Sequence, residues 1–128
     1  MRQKNREPVK KSSYEFFENG MKGHSAVQDI ISLGESKYLI KRTQDRPNIK
    51  VLVADIYIMG EADIHEINPK QNNIECIILI GFYNRYSFVA KRLAKNMGVA
   101  LFDNREFFGA VNYTGEAFIN YERKEKDN

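Results

Sequence analysis

The sequence predicts a mixed α/β domain in which a mostly parallel central sheet is flanked by helices. Two nearly continuous apolar runs, at 49–59 and 74–80, are typical of strands buried on both faces. Apolar residues recur at helical spacing between 84 and 97, and a short apolar run at 99–102 follows. Because a strand, a helix and a strand follow in that order, we expect a right-handed crossover and parallel pairing.

The first elements are predicted to be helical. Ser12 and Glu15 have the spacing of a capping box, which would open a helix with Tyr14, Phe17 and Met21 on one side. A second helical stretch is expected from Ser25 to about Leu33, with Val27, Ile30 and Ile31 facing inward and Gly34 just past its end.

The middle of the chain predicts a β-hairpin and a short helix. Residues 37–43 alternate as a strand does, and residues 44–48 carry the Asp, Pro and Asn of a turn. The run at 49–59 would complete the hairpin. Residues 61–67 suit a short helix, and the polar residues 68–73 suit a loop.

The last third predicts the clearest helix, at 84–97, which Gly98 would end. After the strand at 99–102, Asp103 and Asn104 can cap a short helix that runs through Phe108. Residues 109–121 would add an edge strand or a helix.

Composition limits the class of protein. The chain has 128 residues, 42% of them hydrophobic, and a formal net charge of +3. These values predict one globular domain at 12–121, between a flexible basic arm at 1–11 and a charged tail at 122–128. A single cysteine, Cys76, excludes an intramolecular disulfide and favours the reducing cytoplasm. No apolar run is long enough to cross a bilayer, so we expect no contact with membrane.

Basic residues fall into two groups that could contact phosphates. One group lies around the predicted hairpin and the other on the polar face of the helix at 84–97, where Tyr83 and Tyr86 could also stack on bases. The alternative interpretation is that these cations only cover solvated surfaces. The candidate nucleic-acid-binding residues are Lys41, Arg42, Arg46, Lys50, Arg85, Lys91, Arg92 and Lys95.

Asp55 is the one acidic residue inside the most apolar predicted strand. A buried carboxylate is costly unless it is paired, so Asp55 is either a catalytic or metal-binding group or a structural hydrogen-bonding group. Gly81 lies between a predicted parallel strand and a helix, a place where ligands commonly bind in open sheets.

Residues 74–108 resemble the closing half of Mrr-like restriction endonucleases. The resemblance rests on the run Ile-Glu-Cys-Ile-Ile-Leu-Ile-Gly, on a helix that ends in Gly, and on Leu-Phe-Asp-Asn-Arg-Glu-Phe at 101–107. Residues 14–17 and 37–40 are loosely similar to the opening helix and first strand of that family. The resemblance implies an αβββαβ-type core.

That family's chemistry needs an Asp, followed by a Glu or Gln, one residue and a Lys, which together hold Mg²⁺ and polarise the reacting groups. In one alignment Asp55 takes the place of the Asp, and Glu75 takes that of the Glu. Ile77 then stands where the Lys is expected, unless Lys91 or Lys95 replaces it. The resemblance therefore implies Asp55 and Glu75 as candidate catalytic residues.

Three hypotheses follow for function. The leading one is a nuclease-fold domain without catalysis that binds DNA or a protein of nucleic-acid metabolism, needs no cofactor, and could form a homodimer. The second is a Mg²⁺-dependent nuclease with a migrated Lys. The third is a small phage- or plasmid-type regulator or inhibitor that acts only through protein contacts.

Overall fold

The structure is a computed structural model that describes residues 6–123. Its strands are β1 (Arg6–Glu7), β2 (Val27–Gly34), β3 (Lys37–Arg42), β4 (Ile49–Ile56), β5 (Ile58–Met59), β6 (Cys76–Leu79), β7 (Arg85–Tyr86) and β8 (Ala100–Asp103). Its helices are α1 (Lys11–Lys22), α2 (Glu61–Ile67), α3 (Phe88–Asn96), α4 (Asn104–Ala110) and α5 (Gly115–Ile119).

The central sheet is mixed, as predicted. Its strand order is β2-β3-β4-β6-β8, with β1 paired to β4, and β5 and β7 form a separate two-stranded sheet. The pairs β2–β3 and β3–β4 are antiparallel, whereas β4–β6 and β6–β8 are parallel. The predicted hairpin and the predicted parallel pairing of the two apolar runs are therefore confirmed.

The core has two layers because β4 and β6 bury side chains on both faces. On one face, Phe17 of α1, Phe107 of α4 and Phe118 of α5 pack against the sheet. On the other face, Ile64 of α2 and Ala94 of α3 close the second layer. Each large apolar side chain removed from water contributes about 1.5–3 kcal/mol, so these two layers dominate the stability of the fold.

The predicted helix at 25–33 is wrong, because these residues form the edge strand β2. The residues predicted to face inward, Val27, Ile30 and Ile31, are β-branched and fit a strand as well as a helical stripe, although Ile31 is exposed in β2. Pairing with β3 decides the outcome, since a short isolated helix is only marginally stable. Gly34 takes a positive φ of 84° in the hairpin turn and does not end a helix.

The predicted boundaries around the crossover helix are also corrected. The run at 49–59 divides into β4 and β5, and α3 begins at Phe88 rather than at residue 84. Residues 85–86 pair instead with β5, and the hydroxyl of Ser87 caps α3 by accepting the N–H of Ala90 at 3.0 Å. As a result, residues 80–84 form a loop at the carboxyl end of β6.

Two terminal predictions extend past the described residues. Of the basic arm expected at 1–11, residues 1–5 lie outside them, Arg6 and Glu7 form β1, and Lys11 begins α1. Of the charged tail expected at 122–128, residues 124–128 lie outside them. Among residues 6–123, no helix is long and apolar enough to cross a membrane.

Candidate nucleic-acid interface

A groove of about 720 Å³ lies at the carboxyl ends of the parallel strands β6 and β8. This is the edge at which open α/β sheets usually bind ligands, and the volume is ordinary for a ligand site. The start of α1 forms one wall and the start of α4 another. The lining residues are Ser12, Ser13, Phe16, Ile80, Gly81, Phe82, Asn84, Asp103, Asn104 and Arg105.

One side chain, that of Asn84, holds the loop beside this groove. Its Oδ1 accepts the backbone N–H of Ile56 at 3.1 Å and that of Gly81 at 2.9 Å. Its Nδ2 donates to Oδ1 of Asp55 at 3.0 Å. A Cβ atom at Gly81 would meet the carboxamide of Asn84 at 2.5 Å, so this close approach requires glycine. The side-chain amide of Asn84 is therefore the hydrogen-bond partner that a carboxylate in this apolar strand was predicted to need.

The opposite wall is fixed by the first turn of α4. Asp103, one of the two predicted capping residues, caps α4, and Glu106 completes the cap reciprocally: Asp103 Oδ1 accepts the N–H of Glu106 at 2.8 Å, and Glu106 Oε1 accepts the N–H of Asp103 at 2.9 Å. Both carboxylates are thereby engaged in internal hydrogen bonds.

Exposed aromatic rings surround the groove. The side chains of Phe16, Phe82 and Tyr83 are 63%, 91% and 75% exposed, and the last two rings contact each other edge to face at 4.9 Å. The neighbouring side chains of Tyr57 and Phe88 are exposed as well. These five are half of the large hydrophobic side chains exposed in residues 6–123, and such clustering marks an interaction surface.

Basic residues accompany these rings. Arg85, Arg92 and Arg105 are exposed, and the guanidinium of Arg92 lies 4.7 Å from the centre of the Phe88 ring. Lys10 and Lys11 are exposed just before the groove residues at the start of α1.

Strand β1 pairs with the carboxyl end of β4, Arg6 lying opposite Ile56. The described region therefore begins at this edge of the sheet.

The two candidate catalytic carboxylates are not brought together. The register pairs Val51 with Cys76 and Ala54 with Leu79, so Asp55 and Glu75 lie at opposite ends of β4–β6. At about 3.3 Å per residue, their backbones are roughly 16 Å apart. Oε1 of Glu75 instead accepts the backbone N–H of Lys50 at 2.8 Å. Within residues 6–123, no group of three or more His, Cys, Asp or Glu side chains could hold a metal ion.

The eight candidate cations also lie on two separate parts of the fold, the β3–β4 hairpin and the β7–α3 segment. Lys41, Arg46 and Lys50 are half-buried on the hairpin, and Arg46 donates from Nε to the carbonyl of Asn112 at 3.0 Å. Arg92 and Lys95 lie on α3, and Arg85 precedes it on β7. One surface does not contain both groups.

Arg42 is a structural residue, because its side chain is only 6% exposed. Its Nη1 donates to the carbonyls of Val111 and Tyr113 at 3.1 and 2.6 Å, and its Nε donates to that of Pro47 at 2.8 Å. Burial lowers the pKa of the guanidinium. Phosphate contact by Arg42 would require these bonds to break, so the structure argues against the phosphate-binding role predicted for it.

Lys91 is likewise turned inward. Its Nζ donates to the carbonyl of Leu101 and lies 4.4 Å from the centre of the Phe102 ring. Burial lowers the pKa of Lys91. The prediction that it contacts phosphate is therefore not supported by its position.

Tyr86 donates its hydroxyl to the carboxylate of Glu106, with distances of 2.9 and 2.8 Å to the two oxygens. Burial, together with this carboxylate, raises the pKa of Tyr86. A raised pKa in the folded state gives stability that is present below the unfolded value of about 10 and is lost as the pH rises above it.

We expect Tyr86→Phe to lower the free energy of unfolding by about 1 kcal/mol at neutral pH, because one charge-assisted hydrogen bond is lost. The difference from wild type should shrink above pH ~10. Urea unfolding at both pH values measures it. Tyr113→Phe, at an exposed ring, is the control. A difference in free energy of unfolding that grows with pH would contradict the raised pKa assigned to Tyr86.

Sequence reasoning singled out Gly81 and Tyr83 but missed Phe82, Asn84 and Arg105. A Gly-Phe-Tyr-Asn sequence directly after a buried strand was the available signal, because exposed aromatics at a strand end have no core to enter. No protein-family model, no curated protein and no solved structure matches this chain. The resemblance to Mrr-like restriction endonucleases therefore stays a prediction.

Proposed function

We propose that this domain binds unpaired nucleic acid at the carboxyl-edge groove without cleaving it. Bases would stack on Phe82, Tyr83 and Phe16, while Arg85 and Arg105 contact phosphates. Aromatic platforms combined with cations are the usual means of holding single strands, since every base offers a π face. The exposed rings beside the groove are the observation that carries the proposal.

The charges near the groove favour this ligand over an acidic or neutral one. The carboxylates of Asp55 and Asp103 accept hydrogen bonds from within the protein, which reduces their repulsion of phosphate. Among residues 6–123, no salt bridge joins a carboxylate to Arg85, Arg92 or Arg105. The chain as a whole carries a net charge of +3. Arginine suits this task because its planar group both stacks and pairs with phosphate.

The absence of cleavage is part of the proposal. A nuclease of the kind the resemblance implies needs its acidic residues around one metal ion. Asp55 and Glu75 lie at opposite ends of their strands, so a Mg²⁺ site built from that pair would require a different register. Incubating the protein with labelled DNA or RNA and Mg²⁺ or Mn²⁺ should leave the strand intact.

Binding can be tested by fluorescence anisotropy with a labelled, unstructured single-stranded oligonucleotide at two salt concentrations. We expect the double variant Phe82→Ala, Tyr83→Ala to bind about 10- to 100-fold more weakly, since each stacked base contributes about 1–3 kcal/mol. The salt dependence should be unchanged, because no cation is removed. Arg105→Ala should instead reduce the slope of affinity against salt.

Two matched variants serve as controls. Tyr113→Ala removes an exposed ring far from the groove, and Lys70→Ala removes an exposed cation at the other end of the sheet. Both should bind as wild type does. Absence of binding at low salt, or equal binding by the double aromatic variant, would overturn the proposal.

A protein partner is the second candidate for the same surface. The apolar area continues past the groove through Tyr57, Phe88 and Val89, which are 57%, 71% and 54% exposed. Association driven by this area would depend little on salt and would be lost with Phe88→Ala, whereas nucleic-acid binding would fall steeply with salt. For either ligand we propose the cytoplasm, because Cys76 is a free, buried thiol.

A further inference from the structure

Phe82 and Tyr83 occupy the two central positions of a β-turn beside the carboxyl-edge groove. The turn spans Gly81 to Asn84 and is closed by the backbone N–H of Asn84, which donates to the carbonyl of Gly81 at 3.1 Å. In the reverse direction, the N–H of Gly81 donates to Oδ1 of Asn84 at 2.9 Å. Two hydrogen bonds therefore hold the backbone that carries the two rings.

The two rings stand nearly perpendicular to each other. Their centres are 4.9 Å apart and their planes meet at 79°, the edge-to-face arrangement that the charge distribution of aromatic rings favours. Both side chains are largely exposed, so each ring keeps an open face for a ligand. Phe82 lines the groove and Tyr83 does not, so a ligand that uses both rings extends from the groove to the surface beside it.

This angle determines the shape of a strand that stacks on both rings. Because the ring centres are only 4.9 Å apart, the two bases belong to neighbouring nucleotides. Neighbouring bases in a helical strand lie parallel, since they stack on one another. Bases that are parallel to the rings of Phe82 and Tyr83 meet at 79° and cannot stay stacked on each other. The bound strand is therefore kinked at this step, and its stacking free energy is lost.

We infer that the groove selects single strands whose neighbouring bases separate easily, namely runs of thymine or uracil. This inference rests on the proposed function. Thymine and uracil stack weakly on one another and adenine stacks strongly, so unstacking opposes the binding of an adenine run more than that of a thymine run. Arg105 is exposed and lines the groove, which places a cation near the phosphate at the kink.

Fluorescence anisotropy with labelled oligothymidylate and oligodeoxyadenylate of equal length tests the inference. We expect the wild type to bind the thymine strand about 3- to 10-fold more tightly, since the stacking of one base step corresponds to roughly that ratio. In Tyr83→Ala one ring of the pair remains and neighbouring bases can stay stacked, so the preference should disappear. Ring stacking without a kink gives the opposite order, because a purine offers the larger π face.

Tyr113→Ala removes an exposed ring that does not line the groove, and this matched control should keep the preference. Far-UV circular dichroism checks that both variants fold. Equal or tighter binding of the adenine strand by the wild type would overturn the inference, as would an unchanged preference in Tyr83→Ala. In either case the proposed function stands, because single strands are bound. Failure of the wild type to bind either strand refutes the proposed function, and the inference with it.

Discussion

Replacing Arg42 with Met is expected to lower the free energy of unfolding by about 3–5 kcal/mol, a large part of the stability of an ordinary domain. The buried guanidinium donates to the carbonyls of Pro47, Val111 and Tyr113, and thereby joins the β3–β4 turn to the segment after α4. Hydrogen bonds from a charged donor contribute about 1.5–3 kcal/mol each and are not additive. Methionine fills the volume but donates to none of the three carbonyls, and that of Val111 is buried.

Urea unfolding followed by circular dichroism measures this effect. Arg42→Lys should lower the free energy of unfolding by nearly as much as Arg42→Met does, because a single ammonium cannot reproduce the planar, forked guanidinium. Lys41→Met is the matched control on the neighbouring residue and should change stability by less than about 0.5 kcal/mol. If Arg42→Met unfolded at the wild-type urea concentration and bound oligonucleotide more weakly, Arg42 would be a ligand contact after all.

The second large effect is expected from Asn84→Asp, with a loss of about 2–4 kcal/mol at neutral pH. The new carboxylate keeps the oxygen that accepts the N–H groups of Ile56 and Gly81. It loses the donor to Asp55, however, and places two negative charges at the 3.0 Å separation that the amide now spans. Like charges so close cannot both ionise without penalty.

The pH dependence identifies the cause. Protonation of one carboxylate of the new pair restores a donor, so the folded variant binds a proton more readily than the unfolded chain. The loss in free energy of unfolding relative to wild type should therefore shrink as the pH falls towards ~4. Asn84→Ala should show no such recovery, because it lacks the acceptor as well. Asn112→Asp, at an exposed amide, is the control. A deficit for Asn84→Asp that does not change with pH would contradict the assigned contact with Asp55.

Hydrophobic periodicity predicted those elements whose sequence pattern fits only one type of secondary structure. The runs at 49–59 and 74–80 are too apolar for anything but a buried position and too β-branched for a good helix, and they pair in parallel as expected. The helix at 61–67 and the capping of α4 by Asp103 were equally determined, because both depend on contacts within a few residues.

Where the sequence pattern fits both a helix and a strand, pairing with residues distant in the sequence decides the secondary structure. Val27, Ile30 and Ile31 fit a helical stripe or a strand, and the neighbouring β3 made them a strand. Tyr86 fits the apolar stripe of α3, yet Arg85 and Tyr86 pair with β5, so the helix begins only after them, at Phe88 with Ser87 as its N-cap. Local pattern contains no information on such pairings.

The sequence by itself determined the class of fold and the burial of two strands on both faces, since hydrophobic burial acts on composition and spacing. Only the tertiary structure decided which polar residues are free. It bound Asp55 to Asn84, turned Arg42 and Lys91 inward and set Glu75 at the far end of the sheet. The physical reason is that a polar side chain is free or engaged according to the atoms within about 3 Å of it, and those atoms come from residues up to 84 positions away.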